Sequence, residues 1–577
     1  MTANDTHHSI VREELTWSSF TLPLLLALVF VGLPVILAPF DFWDGRILDH
    51  ALDSQQNAAV EDWFMSSGWA IQYWIFTGVQ NLAQATGVSG ATLFDLVALF
   101  SMGGVVVETI RFGHGIAGLN RNWAVIMGCF VAVFPAWSTL LSSVLFIYVL
   151  CTWLILLAAR LIFDASSWKV LLGFLILILS FQLNSNFVFA IALGASYFAL
   201  SFLKLGRIDR ASLLRSIAIT ILAVGGYLIL KLSFTPTGLY ADYNEILAGG
   251  LIAQIPGLLE GIVNYAQYPV VIFIVLSAGH VALLILRLVG ISRTTDEGLH
   301  IDDSPMRPSI WPTLLAIFLI GAAAFPYVVV GKSSNLSYIY EWNQRHTVLL
   351  ALPAAFFLVL CARLLATWFR CPGGLCALLP AVLAVAVFAG FQLNATSSKL
   401  ARGAYEAGMI AALEGEPAPG PGVVLIKATN MPEPGLRFYE SNWLMVQAYD
   451  REDWYTLVGS TTDREVEIRD WMTASSPTAE VYRMKHIMRT FKDTCITILE
   501  IEGAPYGPAA ALGWLASGSV ANRLQVRQLR SDCNLRNTSL RPRFSEGPQT
   551  VQQKTGDSVG DRDDPDDQYL RHRLIVR

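Results

Sequence analysis

Charge is scarce in this chain. Only 15% of its 577 residues are Asp, Glu, Lys or Arg, 54% are hydrophobic, and the mean hydropathy is +0.49. That balance excludes an ordinary water-soluble globule of this length. Basic excess is also missing: 40 Lys and Arg stand against 45 Asp and Glu, for a net charge of -5. No basic arm interleaved with aromatics is present either, which removes nucleic acid from the candidate partners. No GxSxG, P-loop, HExxH or GxGxxG stands in a fitting context, so soluble hydrolase, nucleotide and zinc-protease chemistry has no support. There is no evident internal repeat and no sign of inverted halves, which weakens a secondary-transporter reading.

Cysteine is sparse. Of the seven, Cys129, Cys151 and Cys361 fall in apolar runs, and Cys371-x4-Cys376 has neither a second ligand pair nor a nearby His, which argues against zinc. Cys495 and Cys533 form an even pair near the C-terminus, which an oxidising compartment would join in one disulfide; the alternative is two buried thiols.

What the chain has is apolar runs long enough to cross roughly 30 Å of hydrocarbon. They lie at 20–40, 92–111, 122–137, 139–163, 169–183, 186–203, 213–232, 267–289, 310–330, 348–369 and 376–393, about eleven spans. Runs 122–137 and 169–183 are short, but each is followed closely by another, through Pro135-Ala136-Trp137-Ser138 and Asn184-Ser185-Asn186, as in tight helical hairpins. With the N-terminus inside, the inner loops collect Arg111 and Arg121, Arg160 and Lys169, Lys204 to Arg215, Arg287 to Arg307, and Arg363 and Arg370, in keeping with the positive-inside rule. The first run lacks a small-x-small cleavage site and is expected to remain as an anchor.

Beyond Gly390 the apolar runs become strand-length or amphipathic, and GEPAPGPG (Gly415 to Gly422) reads as a linker. The expected organisation is a cytoplasmic segment 1–19, a transmembrane helical bundle 20–393 with a long outer loop 41–91, an outer α/β or α+β domain 394–542, and a disordered tail 543–577. Val423–Ala428, Trp443–Tyr449 and Thr494–Ile501 are expected strands, and Thr478–Thr490 a helix.

Two constellations could carry chemistry. The first is acidic, DFWDGRILDHALD, directly after the first span. Asp41 and Asp44 emerge nearest the membrane plane, where a carboxylate can act as general base toward an acceptor hydroxyl or hold a divalent cation against a phosphate. A solvated acidic loop is the bland alternative, and Asp49 and Asp53 fit it better. Downstream, Trp63, Trp69, Tyr73 and Trp74 suit the membrane interface. The second constellation is GKSSNLSYIYEWNQRH, where Lys332, Glu341, Arg345 and His346 gather at the outer mouth of a very apolar helix. Arg offers a planar fork and Lys a compact charge for phosphate oxygens; snorkelling without a ligand is the alternative. Tyr240 and Tyr243 in the loop 233–266 could contact a sugar by stacking and hydroxyl contacts. Glu108 and His280 read as interhelical hydrogen-bonding groups.

A first span followed by a loop opening DFWD, many further spans, the Arg-His pair of EWNQRH at a late outer helix mouth, and a C-terminal outer domain together resemble the GT-C superfamily of integral membrane glycosyltransferases. The resemblance is architectural and covers about residues 1 to 393. The family's two acids are usually adjacent or separated by one residue, whereas Asp41 and Asp44 are separated by two. It implies transfer of a sugar from a polyprenyl-phosphate donor to an outer glycan, lipid or protein acceptor. Asp41 or Asp44 would then orient or deprotonate the acceptor, and Arg345, with His346 or Lys332, would bind the lipid phosphate. The expected location is a bacterial inner membrane, with the N-terminus cytoplasmic and the C-terminal domain periplasmic. The alternatives are a transporter or flippase, and a non-catalytic protein of envelope polysaccharide assembly.

Overall fold

The computed structural model describes residues 15–38, 45, 61, 64–164, 166–181, 186–237, 274–279, 281, 310–329, 342–368, 375–420, 422–428, 436, 438–450, 454–458, 495–504, 506, 508–517 and 524–532. This part of the chain is mainly helical. Eight of its helices are long and apolar enough to cross a membrane, or nine if one bent pair is counted. The chain is a multi-pass membrane protein.

The helices that meet the expected spans are α1 (Ser18–Leu37), α3 (Gly90–Ile116), α5 (Ser143–Ile162), α7 (Asn186–Leu205), α8 (Arg210–Ser233), α9 (Ile310–Tyr327) and α10 (Ala351–Trp368). α2 (Ala70–Thr86) precedes α3. Of the expected span 267–289 only residues 274–279 and 281 are described. The two short runs behave differently from full spans. α6 (Ser167–Ser180) has 14 residues, a length of roughly 21 Å that falls short of the hydrocarbon thickness. α4 (Arg121–Ala132) stops early and is followed by a 3-10 helix, Pro135–Leu141, at a bend of 44°. Pro135 causes the break: it has no N–H to continue the ladder, and it drives Phe134 into extended backbone, ψ 129°.

Local chemistry sets the helix starts. The side chains of Ser89, Asn120 and Asp209 accept from backbone N–H groups in the first turns of α3, α4 and α8. Close packing then orders the bundle. A Cβ on Gly173 of α6 would lie 3.0 Å from the Ala158 carbonyl oxygen of α5, so the two helices meet backbone to backbone there. The segment Gln344–Thr367, which includes α10, is the most enclosed of the candidate spans.

The two ends of the bundle differ in charge. At one end Arg121 donates to Ser18 Oγ at 2.6 Å, Arg111 and Arg160 both bond the buried Glu108, and Arg215 donates to the Phe163 carbonyl. Glu108 thus joins α3 to α5. α1 starts at this end and finishes at the other.

α11 (Leu375–Glu414) changes the expected layout. Its 40 residues give a rod of roughly 60 Å, about twice the hydrocarbon thickness, so the 393/394 boundary falls inside one continuous helix. Beyond it stands a sheet of β1 (Gly422–Ala428), β2 (Trp454–Val458), β3 (Cys495–Gly503) and β4 (Leu524–Asp532) in the order β2-β1-β3-β4. β1 is parallel to both β2 and β3, and β4 is antiparallel to β3. Trp443–Tyr449 is not a strand but part of α12 (Phe438–Tyr449). Parallel β1 and β2 need a crossover connection, and α12 supplies it. α13 (Pro508–Ser517) links β3 to β4. The expected helix Thr478–Thr490, Cys533 and the tail 543–577 lie outside the described residues.

Two outcomes follow from this packing. A Cβ on Gly408 of α11 would collide with the Tyr506 hydroxyl and lie 2.9 Å from its Cζ, and Tyr506 is buried. Gly408→Leu should therefore cost about 1–3 kcal/mol by overpacking, read as a lower thermal midpoint in detergent. The Asp209 carboxyl is held below its ordinary 3.8 by the Ser212 hydroxyl and backbone N–H. Its stabilising effect is present above that value and lost as pH falls through the lower folded one. Asp209→Ala should lower the melting midpoint at neutral pH, and the gap from the unaltered protein should close in acid.

Candidate functional site

The break after α4 creates the site. A helix that stops among apolar neighbours leaves carbonyls without partners, and these must be satisfied from elsewhere in the protein. The Trp137 indole donates to the Val131 carbonyl. The Gln344 amide, from the 3-10 helix Trp342–Leu350, donates to the Pro135 carbonyl at 3.1 Å. The Gln392 amide of α11, its nitrogen toward the carbonyls, donates to Pro135 at 2.9 Å and Phe134 at 3.2 Å, and its oxygen accepts from Thr396 Oγ1 and the Ser138 N–H. Three elements distant in sequence are thereby pinned to one point.

Ser138 is the centre of this arrangement. Its hydroxyl donates to Gln344 Oε1 at 3.1 Å and accepts from Lys399 Nζ at 3.2 Å. Gln392, Thr396 and Lys399 recur at intervals of four and three, which places them on one face of α11. All of these side chains are buried. His346 is stacked on Tyr327 of α9, ring centroids 4.5 Å apart, and Arg345 beside it is buried as well.

One turn past Lys399, the same helix carries Arg402. Its Nε donates to Glu406 Oε1 at 2.7 Å, and Nη2 donates to both Glu440 oxygens at 3.2 Å. Glu440 lies in the first turn of α12, so this pair ties the long helix to the sheet unit. Among the described residues, Arg345, Lys399, Arg402, Glu406 and Glu440 are all buried at this end of the bundle. A buried guanidinium in such a low-dielectric setting favours an anionic partner, a carboxylate or a phosphate alike.

Of the residues singled out in the sequence, Arg345 and His346 stand in this neighbourhood. Asp41, Asp44, Tyr240, Tyr243, Lys332 and Glu341 lie outside the described residues. Sequence reasoning missed Ser138, Gln344, Lys399 and Arg402. A signal was available: polar residues at 392, 396, 399, 402 and 406 continue one helical stripe across the change in composition. Among the described residues no group of three or more His, Cys, Asp or Glu side chains is arranged to hold a metal ion. No protein-family model, no curated protein and no solved structure matches this chain.

The cluster predicts a graded response to mutation. Ser138→Ala removes the donor to the buried Gln344 oxygen and should cost about 1–3 kcal/mol. Arg402→Met leaves two carboxylates buried without their cation and should cost about 3–5 kcal/mol. Thermal midpoints of the two purified variants should fall in that order; a larger loss for Ser138→Ala would contradict the arrangement.

Proposed function

We propose that this protein is a membrane glycosyltransferase that uses a polyprenyl-phosphate-linked sugar. The observation that supports the reading most directly is that the last turns of α1, Leu28–Gly32 and Leu33–Leu37, pack on the 3-10 helix Pro135–Leu141 that carries Ser138. Asp41 follows Leu37 by four residues, a reach of at most about 14 Å. The chain therefore enters the acidic stretch within that reach of the end of α1, whose last turns touch the segment that carries Ser138.

In this mechanism the acceptor oxygen attacks the anomeric carbon while the bond from that carbon to the phosphate oxygen breaks. The acceptor's proton passes to Asp41 or Asp44, and the phosphate leaves as an anion. Arg345 supplies positive charge where that negative charge develops, the form of stabilisation most effective in a dry site, and Lys399 supplies a hydrogen-bond donor. A divalent cation held by the acidic stretch would serve the same end. The basic end of the bundle, with Arg111, Arg121, Arg160 and Arg215, faces the cytoplasm on this reading, and the cluster and the sheet unit face the periplasm. Acceptor selection then falls to the sheet unit, which Arg402 ties to the same helix as Lys399.

One observation favours transport instead: a span broken at Pro135 beside a buried lysine resembles the discontinuous helices that bind substrate in transporters. The cluster's place at the end of the bundle, where α1 finishes, weighs against that reading.

Radiolabelled polyprenyl-phosphate sugars, offered to purified protein with membrane acceptors, separate the two. Asp41→Asn or Asp44→Asn, and Arg345→Ala, should each lower transfer by about 10²- to 10⁴-fold without a matching loss of melting temperature. Full activity in all three variants would defeat the site assignment, and substrate uptake into proteoliposomes without transfer would favour transport.

A further inference from the structure

α13 offers a surface that the proposed reaction does not use. Its ten residues, PAAALGWLAS, contain no charge. One side is turned into the protein: Ala511 and Trp514 are buried, and α13 packs on α11. The other side is open. Leu512 is 66% exposed, and a Cβ on Gly513 would meet nothing. A large apolar side chain on an uncharged helix is poorly placed in water, where its burial would be favourable by the usual area argument.

The neighbour of α13 identifies what covers this side. α13 touches Leu33–Leu37, the last turn of the first membrane span, where Leu33, Ile36 and Leu37 are themselves 44 to 49% exposed. Exposure of that kind on a spanning helix is lipid contact, and the open side of α13 continues it.

We propose that α13 lies in the membrane interface, with Leu512 and Ala516 against the lipid of the leaflet in which α1 ends. Interfacial helices commonly show Lys or Arg on the face opposite the lipid. Here protein covers that face instead, so α13 needs no charge to remain at the surface. The sheet unit is then held by two attachments, the rod α11 on one side and α13 dipped into the bilayer on the other. This inference does not depend on the glycosyltransferase reading.

The test uses the full chain, one copy per nanodisc, in phosphatidylcholine and phosphatidylglycerol carrying a nitroxide high on the acyl chain. An environment-sensitive fluorescent amino acid replaces Leu512, or Ala516 should the first variant fail to fold. The controls are Leu228 on the exposed side of α8 and Gln525 on the exposed side of β4. Label at 512 or 516 should be quenched as strongly as label at 228, with label at 525 unaffected. An unquenched label on α13 overturns the proposal. So does equal quenching at 525, which would lay the whole unit on the membrane. An α13 label that is shielded only in discs loaded with two copies would overturn it in favour of a second copy of this chain.

Discussion

Everything at the functional end depends on how the carbonyls freed at Pro135 are satisfied. In hydrocarbon an unpaired backbone group costs several kcal/mol, so a span can break only where other parts of the protein supply donors. Gln344 and Gln392 do this, one from the 3-10 helix before α10 and one from α11. Once both amides are committed, the relative positions of α4, α10 and α11 have little freedom. Ser138 then lies between Gln344 and Lys399 as a consequence, and the lysine is delivered to the break by the same helix face that repairs it.

α11 converts this local repair into a long-range one. A rod of its length must leave the bilayer, and it does so without a flexible joint between its membrane half and the half that bears the sheet unit. Tyr506 packs over Gly408, and Glu440 meets Arg402 within two turns of that contact. Displacement of the sheet unit would therefore be felt at Lys399, one turn below Arg402. In the proposed reaction, this rigid geometry would hold acceptor and leaving group at a fixed separation. Rate depends steeply on such positioning, because a misplacement near 1 Å can cost about two orders of magnitude.

Much of the bundle was legible in the sequence because lipid imposes a coarse rule: apolar runs of sufficient length are helices. The start of α1, the end of α5 near 163 and the basic residues at one end follow from that rule. The cluster was less legible because hydropathy averages over a window and is blind to a stripe on one face. Gln392, Thr396, Lys399, Arg402 and Glu406 fall where the average drops, so the chain seemed to leave the helix while its pattern continued. Within NQRH, charge makes Arg345 and His346 conspicuous, yet the neutral Gln344 makes the bond to Ser138. Trp443–Tyr449 could satisfy either period over so few residues, and only the parallel pairing of β1 with β2 decides for a helix.

The Arg402 fork shows why stability alone does not account for this end of the molecule. A buried ion pair gains little over well-packed apolar groups, since desolvation offsets most of the attraction. What the fork adds is geometry. Glu406 is a turn further along the same helix, whereas Glu440 belongs to the first turn of α12, where the helix dipole also favours a carboxylate. A lysine would offer a point charge and could not address both carboxylates in fixed directions; guanidinium can. One planar side chain thus fixes the sheet unit against the rod. Because Lys399 lies on that rod a turn away, it also fixes the distance between the sheet unit and the Ser138 cluster.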